Sequence, residues 1–129
     1  MARTFNLTVF DQTISGGGAN PTYFYTSQEH AALFGSADKL QVQIICRGST
    51  SFANTITVDY QMTNAPEYDV WVTSGAGNTL TVNTVADIPG AKFFQVESQA
   101  NIAAYGRFRI QCSGDMAQVQ LVVAGYAKS

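Results

Sequence analysis

Histidine, cysteine, proline and charge are all scarce in this chain, and each scarcity removes a class of function. The one histidine among 129 residues, His30, cannot supply the histidine cluster of a cupin-type metal enzyme. A catalytic triad would have to be built on it, and no G-x-S-x-G elbow accompanies it. The two cysteines, Cys46 and Cys112, lack C-x-x-C or Cys–His zinc spacing and are too few for a disulfide-rich secreted scaffold. Charged residues make up 12%, about half the share of an average globular protein. Seven basic residues face nine acidic ones, and no Lys/Arg block occurs, which argues against a nucleic-acid partner. No apolar run approaches the roughly 20 residues of a membrane helix. The start also lacks the apolar stretch of an export signal. Arg3 is followed instead by Phe5, Leu7 and Val9 with Asn6 and Thr8 between them, which is strand alternation. A complete small product made in a cytoplasm, with one domain over 1–129, is the expectation.

Period-2 patterning is what the chain has in abundance, and sustained helical periodicity is missing. Leu40, Val42, Ile44 and Cys46 alternate with Gln41, Gln43, Ile45 and Arg47. Ile56, Val58, Tyr60 and Met62 alternate with Thr55, Thr57, Asp59 and Gln61. Phe5–Val9, Tyr23–Thr26, Lys92–Glu97, Phe108–Cys112 and Ala117–Val123 read as further strands. Ser15 to Pro21, with three glycines and a proline, breaks the ladder. Gln28–Phe34 alone has helical composition. Ser74-Gly75-Ala76-Gly77-Asn78, between Val70-Trp71-Val72 and Leu80-Thr81-Val82, reads as a hairpin turn, and Ala86–Gly90 as a second turn. About eight antiparallel strands predict an all-β, two-sheet sandwich, with a jelly roll as the specific expectation. An immunoglobulin-like sandwich fits less well. Trp71 lies between the cysteines, but their strands are not at the B and F positions.

Chemistry is sparse. Cys46 and Cys112 fall on inward-facing strand positions and read as buried reduced thiols, with one inter-strand bridge as the other possibility. Glu67 and Asp69 form an acidic pair without a third acidic neighbour to make a calcium site. Asn6-Leu7-Thr8 matches a glycosylation pattern but lies inside a strand. Nothing calls for a catalytic residue, metal or cofactor. Tyr68 and Trp71 are the candidate binding pair. They bracket Asp69 and Val70 just after Pro66, where two rings can stack on a sugar. A tryptophan beside alternating valines is more often a core residue between sheets.

The strand Ile56–Met62 followed by Asn64, Pro66 and Trp71, and the pair Tyr105–Ile110 with Gln118–Val123, resemble the small all-β head proteins of tailed bacteriophages, the capsid decoration or cement proteins. Low charge and a high Thr, Gln, Asn and Gly content go with that resemblance. It implies a non-enzymatic virion protein on the capsid surface, bound to the outside of a shell of major capsid protein. It also implies a homotrimer, with a short N-terminal arm around Arg3 or the edge strands touching the shell. Arg3, Tyr68 and Trp71 are thus the expected partner-binding residues, with no nucleic acid and no membrane involved. The other reading is a carbohydrate-binding β-sandwich module of a phage tail or surface protein, using Tyr68 and Trp71. A single-stranded RNA phage coat protein has nearly this length but needs C-terminal helices and a basic sheet, which this chain lacks.

Overall fold

The computed structural model describes residues 2–16, 22–50, 54–83, 87–97, 104–114 and 116–128. They form eight strands: β1 (Ala2–Ile14), β2 (Tyr23–Tyr25), β3 (Ala37–Ser49), β4 (Asn54–Thr63), β5 (Val72–Val82), β6 (Gly90–Glu97), β7 (Tyr105–Cys112) and β8 (Ala117–Lys128). One four-stranded sheet has the order β1-β8-β3-β6 and the other β2-β7-β4-β5. All pairings are antiparallel. Only β4 and β5 are consecutive strands within one sheet; every other connection passes between the sheets. That order is the jelly roll expected from the strand count.

The alternation in sequence becomes the two faces of each sheet. On β7 the burial pattern strictly alternates from Tyr105 to Cys112. Leu40, Val42, Ile44 and Cys46 of β3 are buried, as are Ile56, Val58 and Tyr60 of β4 and Val119, Leu121 and Val123 of β8; with Phe108 and Ile110 they form one core. Gln28–His30 forms a 3-10 turn that runs into a short helix, α1 (Ala31–Ser36). Phe34 of α1 is fully buried and closes one end of the sandwich, with ring centroids 5.4 Å from Phe108 and 6.4 Å from Phe5. Gly35 lets the helix approach so closely because any Cβ there would strike the carbonyl of Ala104. No described helix is long and apolar enough to cross a membrane.

At the other end a buried amide ties the layers together. Asn54, 1% exposed, accepts through Oδ1 from the backbone N–H of Gly114 (2.7 Å) and from Ser113 Oγ (3.2 Å); its Nδ2 donates to Ser49 Oγ (3.0 Å). The start of β4 is thereby fastened to the end of β3 and to the β7–β8 turn. A buried amide is tolerated because its hydrogen bonds are made. Cys112 Sγ also donates to Asn54 Oδ1, at 3.2 Å. Cys46 and Cys112 are free, buried thiols, in accord with the inward orientation read from their strands.

Two expectations need correction. The hairpin assigned to Ser74–Asn78 does not form, because β5 runs unbroken from Val72 to Val82 beside β4. Val58 pairs with Asn78 and Tyr60 with Ser74, so the glycine-rich stretch is a bulge that lets one strand carry extra residues past a single partner, Asp59. Nor is there a free arm around Arg3. From Ala2 onward β1 is paired with β8, and Arg3 stands opposite Ala127.

Candidate functional site

The outer face of the β2-β7-β4-β5 sheet carries the densest chemistry in the chain. Tyr23 and Tyr25 sit two residues apart on β2 and so share a face, as do Arg107 and Arg109 on β7 and Asp59 and Gln61 on β4. Register sets them side by side: Tyr25 is opposite Arg109, Arg109 opposite Asp59, and Arg107 opposite Gln61. Arg109 donates from Nε and from a terminal nitrogen to Asp59 Oδ2, at 3.1 and 2.8 Å, and its guanidinium carbon lies 4.6 Å from the centroid of Tyr23. Arg107 donates from Nε to Gln61 Oε1 at 2.9 Å, and Gln61 Nε2 in turn donates to Thr73 Oγ1 of β5 at 3.2 Å.

The connection between β4 and β5 completes the arrangement. After the 3-10 turn Pro66–Tyr68, Asp69 adopts the left-handed conformation (φ 53°, ψ 38°), which Asp tolerates better than most residues. This reversal brings Trp71 back over the sheet. Trp71 Nε1 donates to Asp69 Oδ1 at 3.1 Å, and the same oxygen lies 3.6 Å from a terminal nitrogen of Arg107. The Arg107 guanidinium is consequently sandwiched, 4.2 Å from the ring centroid of Tyr25 and 4.3 Å from that of Trp71. Burial pulls its pKa down, an effect opposed by Tyr25 and Asp69 and reinforced by Arg109; an arginine stays cationic regardless. Stacking of this kind suits arginine, because the guanidinium is flat and weakly hydrated.

The expected partner-binding residues are thus scattered. Trp71 is a half-buried residue of the outer face, stacked on Arg107, and not the core residue that its valine neighbours favoured. The inner faces are already filled, and Asp69 supplies the indole N–H with an acceptor outside. Tyr68 is 75% exposed on the 3-10 turn. Arg3 belongs to the other sheet. Asp69 is engaged by Trp71 and Arg107, and His30 lies against Glu29 (3.2 Å) and Phe34. Among the described residues no three His, Cys, Asp or Glu gather in a metal-binding group.

Tyr23, Tyr25, Arg107 and Arg109 escaped the sequence reading as site residues. Their signal was present in the two i, i+2 pairs. What was missing was the knowledge that β2 lies beside β7, more than 80 residues later in the chain (Tyr25 pairs with Arg109).

No protein-family description matches this sequence, and no curated protein is significantly similar to it. Its fold, however, is shared. A chain from the structure of infectious bursal disease virus, Gx strain, superposes with a TM-score of 0.61 over 98% of this chain, at 11% identity. The PBSX exported protein XepA gives a TM-score of 0.62 over 97%, at 9% identity. A chain of the VP2 subviral particle of infectious bursal disease virus gives 0.52 over 98%, at 9% identity. The chain covers 32–37% of the length of these three neighbours. At such identities the likeness is one of fold, and the fold is a jelly roll.

Proposed function

We propose that this chain is a non-enzymatic structural protein of a virion, one that binds the outside of a phage capsid shell and stabilises it as a homotrimer. The observation that carries the reading is the fit of the described chain, from β1 to β8, to a jelly roll that also occurs in a VP2 subviral particle and in a PBSX protein. The amide-rich composition, with only 12% charged residues, agrees with a protein that works through shape-matched surfaces more than through charge. Each sheet also has two edge strands, β1 and β6 in one and β2 and β5 in the other, and edges of this kind are covered in stable assemblies. Contact with the shell falls to exposed Tyr68 with its exposed neighbours Val70 and Val72, bordered by Trp71, and to Arg3 on the opposite sheet.

The test is co-sedimentation with shells assembled from the major capsid protein encoded nearest to this gene, combined with shell melting. A protein that binds only the assembled shell stabilises it by mass action, about 2.7 kcal/mol per site at a hundredfold excess over Kd. Bound protein and a raised shell melting temperature are the expected result, with little dependence on salt. Protein that stays in the supernatant, or light scattering that reports a monomer, counts against the reading.

A further inference from the structure

The Tyr25–Arg107–Trp71 stack and the adjoining Tyr23–Arg109–Asp59 group point to a second activity: we propose that the outer face of the β2-β7-β4-β5 sheet binds a neutral oligosaccharide. The inference is independent of shell binding.

Three observations support it. First, the rings are exposed yet fixed. Tyr23 and Tyr25 remain 40% and 44% exposed, while one face of each is held by a guanidinium. Each guanidinium is fixed in turn, Arg107 by Gln61 and Arg109 by Asp59. Side chains locked before a ligand arrives lose little entropy when it binds. Second, the charges cancel within the face. Arg109 is paired with Asp59 and Arg107 faces Asp69, so no net charge is left to select an anionic polymer. Third, neutral hydrogen-bonding groups stand on the same sheet, on β4 and β5. Gln61 reaches Thr73, and Thr57 bonds Thr79 across β4 and β5, 3.2 Å in each case. Apolar ring surface set among hydroxyls and amides complements a pyranose, which has one C–H face and a rim of hydroxyls. Because the rings form a row along an open sheet, a chain of several sugars fits them better than a single one.

The protein carries its own probe, since Trp71 is its single tryptophan. Purified protein is screened on an array of neutral, sialylated and sulfated glycans, and the best neutral oligosaccharide is then titrated while Trp71 emission is followed. The expected result is a saturating change that survives high salt. Tyr25→Ala should weaken binding roughly tenfold or more, and Trp71→Ala should remove it on the array. Tyr68→Ala, outside the row, should leave it intact. Tyr23→Ala, on the short edge strand, repeats the test should Tyr25→Ala fail to fold. Absence of any neutral binder, binding confined to acidic glycans, or affinity unchanged in the folded Tyr variants overturns the proposal. Shell co-sedimentation of Tyr25→Ala and Tyr23→Ala, which lie outside the proposed shell contact, is expected to persist.

Discussion

Replacing Arg107 by alanine should destabilise the fold well beyond an ordinary surface substitution. Its side chain is 13% exposed, so its two ring contacts belong in the upper part of the range for cation–π pairs, about 0.5–2 kcal/mol each. Its bond to Gln61 adds about 1.5–3 kcal/mol, because the loss leaves the Oε1 of a residue only 5% exposed without its partner. Asp69 contributes little, being 76% exposed and 3.6 Å away. Releasing an ordered arginine returns about 2 kcal/mol of side-chain entropy. The net expectation is about 2–4 kcal/mol, a fall in Tm of roughly 6–15 °C for a chain of this length. Arg107→Lys should lose about half as much, since an ammonium keeps the charge but cannot lie flat between two rings. Thermal melts by circular dichroism measure both. An alanine variant within about 2 °C of the parent would mean that the stack behaves as an ordinary surface contact and that the reasoning is wrong.

Two further outcomes follow from the core. Alanine at both Cys46 and Cys112 should cost roughly 1–3 kcal/mol through lost packing, while reductant should leave the parent's melting temperature unchanged; a marked drop with reductant would reveal a bridge. Burial raises the pKa of Tyr60 and of the Cys46 thiol above their ordinary values of 10.0 and 9.0. The folded state therefore holds these protons more tightly than the unfolded chain does. That stability is fully present below the ordinary values and is lost as pH climbs from them toward the folded-state values, at up to about 1.4 kcal/mol per pH unit for the tyrosine. Melting curves should fall from about pH 9 upward, and Tyr60→Phe should flatten that fall; an equally steep curve in the variant would remove Tyr60 as the cause.

The contrast between what the sequence conveyed and what it hid follows the range of the interactions. Alternation within β3, β4 and β7 is local, so their buried positions were readable down to the two cysteines. Glycines are ambiguous at the same scale. In Gly75-Ala76-Gly77 they permit a turn or a bulge equally well, and pairing with β4 chose the bulge. The lengths of β1 and β8 were underestimated because their outer residues are held by each other and not by patterning. The core reading of Trp71 fails for a related reason. Its valine neighbours favoured burial, yet Val70 and Val72 are exposed, and the decisive contacts come from Asp69 in a left-handed conformation and from an arginine 36 positions away. The binding face is a product of sheet order, which no single stretch encodes.

The position of β8 between β1 and β3 has a consequence for how the protein must be made. The first strand finds its partner only in the last, with Ala2 facing Lys128, and β3 likewise waits for β8 along most of its length. While the ribosome is still adding residues, β1 and one side of β3 are therefore exposed templates with nothing to pair with, in a chain whose low charge does little to keep nascent copies apart. Contacts of such long range close slowly. Sheet completion thus waits on the synthesis of β8, and the interval before it is when β1 of one nascent chain is open to capture by β8 of another.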